Sequence, residues 1–214
     1  MKRKIKEEIV SVGKRLYERR LNGGYGGNIS VLDEGVIYIT PSGVPKDELD
    51  YSEIIVMDFK GNIIEGQGKP SSEMLFHILL YKERADIKAI IHAHPPLATG
   101  FAIARHPITE AVHEEAAVLL GKVPVLPYEV TSSKELAKSV SEAFKNANAV
   151  LLANHGVITV GETLEKAFRR MEELENLCEM LLVADALGGA KKIPLKKLLK
   201  LFELMRVREG KIKI

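Results

Sequence analysis

The sequence predicts an α/β domain in which at least some strands pair antiparallel. Three observations lead there. Short apolar and β-branched runs crowd the first third of the chain, helical patterns are interspersed through the rest, and Lys60-Gly61-Asn62 marks a hairpin turn between two of the runs.

The elements follow in order. Ile5, Ile9, Val12 and Leu16 fall at steps of 4, 3 and 4, which predicts an amphipathic first helix. The run Gly23-Gly24-Tyr25-Gly26-Gly27-Asn28 breaks it. Strands are expected over residues 29–32, 36–39, 54–58 and 62–65. A helix opens at Ser71 or Ser72 and runs to residue 84. A strand over 88–92 and a helix over 97–104 come next, then a helix over 109–120 and a strand over 123–128. Residues 134–146 read as a helix and 149–153 as a strand. Leu164, Ala167, Met171, Leu174, Leu177 and Leu181 mark a long helix, and 195–207 a final one. No repeat or linker divides the chain, so residues 1–214 are expected to form a single domain.

Bulk properties exclude several classes. Net charge is +2, from 31 basic and 29 acidic residues, which exerts no whole-chain pull toward nucleic acid or an anionic membrane. No apolar run approaches the ~20 residues that cross a bilayer. The basic start, Met1-Lys2-Arg3-Lys4, has no apolar stretch behind it and is not expected to be a secretory signal. A single cysteine, Cys178, precludes an internal disulfide and is expected to be a small core residue of a cytoplasmic protein.

The chemistry concentrates at His92-Ala93-His94, which ends the apolar run Ala89-Ile90-Ile91. Residues i and i+2 of a strand point to one face, so both imidazoles can converge. His155 follows a second apolar run, Ala149-Val150-Leu151-Leu152, and precedes Gly156. Three imidazoles with a fourth position open are what a catalytic zinc site requires, although neutral imidazole also suits copper, iron or nickel. A strand-end histidine can equally be a partly buried polar residue. Gly26-Gly27-Asn28-Ile29-Ser30, Thr40-Pro41-Ser42-Gly43 and Pro70-Ser71-Ser72-Glu73 are turns rich in backbone N–H groups and small polar side chains. Together they could enclose a phosphate dianion, and singly each is also an ordinary turn or helix cap. Glu73 is placed in the first turn of its helix, where a carboxylate suits the dipole. His77, one turn on, is expected to be a surface or packing residue rather than a ligand, and His106 a loop residue. His113-Glu114-Glu115 is a polar cluster in an otherwise apolar helix: a proton donor or a solvated face.

These segments, in this order, resemble the class II aldolase family of sugar-phosphate enzymes. The matching pieces are Gly27-Asn28-Ile29-Ser30, Thr40-Pro41-Ser42-Gly43, Lys69-Pro70-Ser71-Ser72-Glu73, His92-Ala93-His94-Pro95 and Asn154-His155-Gly156, and the similarity spans residues 5–185. The resemblance implies a central, mainly antiparallel sheet with helices on both faces, and a homotetramer with active sites at subunit interfaces. It implies that His92, His94 and His155 hold one Zn2+ per subunit, or another divalent metal. Glu73 would join them when substrate is absent and act as base otherwise. Gly27, Asn28, Ser42, Gly43, Ser71 and Ser72 would bind substrate phosphate.

The implied reaction is reversible cleavage of a ketose 1-phosphate, such as L-fuculose 1-phosphate, to dihydroxyacetone phosphate and an aldehyde such as lactaldehyde. The sequence departs from the family's aldolases at the second proton donor. They carry a tyrosine where this chain has His113 and another near the C-terminus, whereas residues 204–214 contain none. The family's dehydratases and epimerases instead carry an acidic residue two positions after a histidine, an arrangement that His113-Glu114-Glu115 resembles, with Glu115 at the acidic position. A dehydratase or epimerase is therefore the alternative activity. A binding-only module of the adducin type is disfavoured because Glu73 and all three histidines are retained.

Overall fold

A computed structural model describes residues 2–208 of the chain. Helix α1 (Lys2–Glu18) leads into strands β1 (Asn28–Asp33) and β2 (Val36–Ile39). A 3-10 turn (Tyr51–Glu53), β3 (Ile55–Met57), β4 (Ile63–Glu65), α2 (Met74–Glu83) and β5 (Ala89–Ala93) follow. Then come α3 (Pro96–Ile103), α4 (Glu114–Leu119), β6 (Val125–Leu126) and α5 (Lys134–Ala143). The chain continues through β7 (Ala149–Leu152), β8 (Gly156–Gly161), α6 (Leu164–Ala186) and α7 (Leu195–Arg208).

The strands form one 8-stranded sheet in the order β4-β3-β2-β1-β5-β8-β7-β6. Every neighbouring pair is antiparallel except β6 with β7. Period-two alternation divides the side chains between two cores. Ile29, Tyr38, Ala89, Ile91, Leu151 and Val157 face α1, α3, α4 and α6, including Leu16, Phe101, Phe168 and Met171. Ile37, Ile39, Ile90, Val150, Ile158 and Val160 face α2 and α5, including Phe76, Tyr81, Val140 and Phe144. Both sheet faces are covered, which is why β5 and β7 are apolar at nearly every position rather than alternating. The expected fold class, an α/β domain with a mainly antiparallel sheet between helical layers, is the one observed.

Several local expectations are corrected. Only Glu114–Leu119 of the expected 109–120 helix is helical. The preceding residues are irregular, since Ile108 just before them pairs with Val123 and the Ala111 carbonyl accepts from Ile193 N–H. The expected 123–128 strand shrinks to Val125–Leu126 because Pro124 and Pro127 cannot donate to a ladder. Strand β8 was not legible, as Gly156 and Gly161 at its ends read as turns. Both are glycines because backbone crowds them: a Cβ at Gly161 would lie 2.6 Å from Ala167 N, and one at Gly156 2.6 Å from the Ala93 carbonyl. Helix α2 begins at Met74, so Glu73 is its N-cap rather than part of its first turn. Cys178 is fully buried, as expected. Helix α7 matches the predicted last helix, while residues 209–214, the end of the tyrosine-free tail, lie outside the described residues.

Candidate metal centre

The centre of the sheet places the three histidines. His92 lies in β5, between β1 and β8, opposite Asn28 on one side and Ile158 on the other. His94 follows immediately beyond the strand. His155 closes the tight turn from β7 to β8, in which Asn154 adopts the left-handed conformation (φ 55°) that asparagine tolerates better than most residues. The His94 ring is walled on two sides by glycines. A Cβ at Gly26 would lie 2.6 Å from its Nδ1, and one at Gly156 2.4 Å from its Cδ2. Asn22 ties the glycine-rich loop to the same place, accepting from His94 N–H at 3.3 Å and donating to the Gly26 carbonyl. Glu175 of α6 then caps α3, accepting from Leu97 and Ala98 N–H, which anchors the segment just after His94.

The imidazoles converge through their Nε2 atoms. Both His94 Nε2 and His155 Nε2 lie 3.2 Å from His92 Nε2. His92 is fully buried, and its Nδ1–H donates to the Val157 carbonyl at 2.9 Å, which turns Nε2 toward the cluster. Such a bond behind a ligand is how metal-binding histidines are oriented. Burial, with His92 and His155 beside it, pushes His94 down to about 3, and burial followed by His92 lowers His155. Both rings therefore stand ready as neutral donors. The Glu73 carboxylate completes the set, with Oε2 3.3 Å from His92 Nε2 and Oε1 3.6 Å from His155 Nε2. Burial raises the Glu73 carboxyl, but His92, His155 and hydrogen bonds from Thr131 and Asn28 outweigh it and hold the group below the usual carboxylate range. Three imidazole nitrogens within 4.8 Å of one another could hold a metal ion, and the neutral rings beside an ionised carboxylate fit one chemically.

Each Glu73 oxygen is held by a neutral donor. Asn28 Nδ2 donates to Oε2 at 3.0 Å and the Thr131 hydroxyl to Oε1 at 2.9 Å. Behind Asn28 stands His77, whose Nε2 lies 2.6 Å from the Asn28 carbonyl oxygen. His77 is a packing residue, as expected, yet it is completely buried and fully engaged in hydrogen bonding. Thr131, Asn22 and the Val157 carbonyl escaped the sequence reading. Thr131-Ser132-Ser133 looks like a turn before α5, and a carbonyl leaves no sequence signature.

The three polar turns meet in space. Ile29 N–H donates to Thr40 Oγ1 at 3.2 Å, Ser71 N–H donates to the Thr40 carbonyl at 3.2 Å, and Pro41 bridges Pro70. Gly27 enters β1 with φ 67°, and a Cβ there would meet the His92 carbonyl at 2.3 Å. Ser42, Gly43 and Ser72 are exposed, whereas Ser71 and Asn28 are buried. A cavity of about 1050 Å³ opens beside Ser42 and Lys69, with Lys2, Arg3 and Lys6 on its wall. It lies beside the turns, not over the imidazoles.

His113 and Glu115 stand apart. His113 is the N-cap of α4, with its Nδ1 at hydrogen-bond distance, 3.0 Å, from Glu173 Oε1, and burial raises the Glu173 carboxyl. Glu115 is exposed in a cleft with Arg20 and Glu173. Among the described residues, no hydrogen bond or ion pair links either one to Glu73 or to the three imidazoles.

Residues 7–182 match the family described as Class II Aldolase and Adducin N-terminal domain. The chain belongs to the class II aldolase family. Similar class II aldolases include a 5-deoxy-D-ribulose 1-phosphate aldolase of Bacillus thuringiensis, 35% identical over 94% of this chain and 96% of that protein. An L-fuculose phosphate aldolase of Methanococcus maripaludis is 34% identical over 81% of this chain and 93% of its own. Among solved structures, an L-fuculose 1-phosphate aldolase superposes with a TM-score of 0.89 at 38% identity, covering 95% of this chain and 96% of that one. Membership bears out the family resemblance and the aldolase-type, lyase reading of the sequence.

Proposed function

We propose that the protein is a zinc-dependent aldolase that reversibly cleaves a ketose 1-phosphate to dihydroxyacetone phosphate and an aldehyde. Candidate substrates are of the L-fuculose 1-phosphate and 5-deoxy-D-ribulose 1-phosphate kind, the two named for its relatives. The observation that carries the reading is the Glu73 carboxylate set against His92 and His155, beside the junction of three polar turns. His92, His94 and His155 would hold the ion, with Glu73 as a further ligand until substrate arrives. When bound, a divalent ion there supplies Lewis-acid polarisation of a substrate oxygen. The substrate phosphate would lie among Gly27, Asn28, Ser42, Gly43, Ser71 and Ser72, where N–H groups and hydroxyls fix its distance from Glu73. In condensation Glu73 removes a proton from dihydroxyacetone phosphate, and Asn28 and Thr131 keep its carboxylate aimed. His113, on the side that carries α4, is the candidate for the second proton donor of the aldolase, and Glu115 would take that role in a dehydratase or epimerase.

The reading includes a cytoplasmic homotetramer. No described helix is long and apolar enough to cross a membrane. Exposed Tyr25 and Val130 flank the residues around the site, and Met180, Leu182, Val183 and Leu187 leave an apolar stretch on α6, both suited to contact with other subunits. Product analysis with a panel of ketose phosphates tests the activity. Dihydroxyacetone phosphate should appear, vanish on chelation and return with zinc. Its absence alongside a dehydrated or epimerised product would overturn the aldolase reading, and full activity without metal would overturn the ion's role.

A further inference from the structure

Asn28 is caught between two groups. Glu73 Oε2 can only accept, so Asn28 must present its NH2 there, and its carbonyl oxygen must face His77 Nε2. His77 Nε2 therefore carries a proton, and because burial keeps the ring neutral its Nδ1 is bare. At Nδ1, 2.7 Å away, the Ser30 hydroxyl donates, and the Ser30 oxygen accepts in turn from the Tyr81 hydroxyl at 2.8 Å. The chain Tyr81, Ser30, His77, Asn28, Glu73 thus has a single direction, with every proton assigned. Ser30 and His77 are fully buried, and Asn28, Tyr81 and Glu73 nearly so. Phe76 stacks on the His77 ring with centroids 4.4 Å apart, which holds its plane. Burial also pushes His77 down to about 3, so it is neutral at working pH.

We propose that His77 is a positioning residue: as a neutral imidazole protonated on Nε2, it fixes the orientation of the Asn28 carboxamide and thereby aims the Glu73 carboxylate at the metal centre. Without that donor the Asn28 amide can rotate by half a turn. Its oxygen would then face the Glu73 carboxylate, repel it and loosen it. The proposal rests on the reading of Glu73 as a ligand and base.

Two conservative variants separate positioning from packing. A glutamine places its amide nitrogen where Nε2 stands and can still donate to Asn28. An asparagine reaches only toward Ser30. The metal-free protein, titrated with zinc alone against a chromogenic chelator, should bind at least ~10-fold more weakly as His77→Asn and within about threefold of wild type as His77→Gln, the scale of effects from groups behind metal ligands. In a Glu73→Gln background, His77→Asn should cause no further loss, because its effect passes through Glu73. With substrate, kcat of His77→Asn should fall about tenfold, as a misaimed base would cause. A folded His77→Asn protein with wild-type zinc affinity overturns the proposal, as does a glutamine variant as weak as the asparagine one. A loss undiminished in the Glu73→Gln background also overturns it. If His77→Asn does not fold, Ser30→Ala substitutes for it: at least ~10-fold weaker zinc binding is expected, and binding within about threefold of wild type overturns the proposal. The titration needs no substrate, so failure to turn over any ketose phosphate would remove the aldolase reading alone and leave this test decisive.

Discussion

The centre of the sheet and the α4 side of the molecule treat their polar residues in opposite ways. Around β1, β5 and β8 the functional groups are buried and mutually satisfied: both Glu73 oxygens and both polar atoms of Asn28 have partners. Both ring nitrogens of His77 and of His92 are likewise engaged. On the α4 side, Glu115 is exposed and His113 leans on Glu173, a carboxyl whose protonation burial favours. Buried polar groups must be paired in advance, because an unpaired one costs about 1–3 kcal/mol. The difference teaches that the candidate metal site is preorganised within one chain, whereas among the described residues no hydrogen bond or ion pair ties the α4 cluster to it.

The comparison can be broken or sharpened experimentally. Glu73→Gln should keep its three histidines and its metal yet lose at least ~10²-fold in kcat, the usual scale of general-base catalysis. A near-normal rate, measured with metal content verified, would remove Glu73 from the base role. Gly156→Ala tests the preorganisation. Its Cβ would lie 2.4 Å from the His94 ring and 2.6 Å from the Ala93 carbonyl, and the backbone side of that clash cannot yield. Displacing a ligand in this way should weaken zinc binding by about 10–100-fold, which competitive chelator titration would read.

A third test uses pH. His77 titrates near 3 in the folded protein, whereas an unfolded histidine titrates near ~6.5, so below ~6.5 the unfolded chain takes up the extra proton. Its contribution to the stability of the metal-free protein is therefore complete above about pH 6.5 and erodes as pH falls toward 3, by up to ~1.4 kcal/mol per pH unit. Denaturant titrations at several pH values should show a shallower slope in His77→Gln. The smallest effect is expected on the α4 side: Glu115→Gln should change aldolase turnover by less than about threefold, as surface substitutions usually do. A collapse of activity would instead make Glu115 the acid and move the enzyme toward the dehydratase or epimerase reading.

Much of the candidate site was legible because its residues sit where the chain changes from strand to turn. His92 and His94 share a face by strand periodicity, His155 ends an apolar run, and Ser71-Ser72-Glu73 precedes an apolar helix. Thr131 was not legible, since its hydroxyl matters only because the loop between β6 and α5 reaches Glu73, 58 positions earlier. Gly156 carries no sequence signal of its role, which comes from the His94 ring lying against it. The helix expected over 109–120 failed for the same kind of reason, as local pattern lost to pairing with residues 123 and 193.

By itself the sequence determined the class of the fold, the order of most of its elements, and three imidazoles and a carboxylate able to meet at strand ends. These follow from periodicity and turn chemistry, which act over a few residues. Only the tertiary structure decided that Asn28 and Thr131 grip the two oxygens of Glu73, and that His77 stands behind Asn28. It also decided that His113 turns to Glu173. Those choices belong to hydrogen bonds between residues 45 to 60 positions apart, whose direction is set by burial and by which atoms can donate.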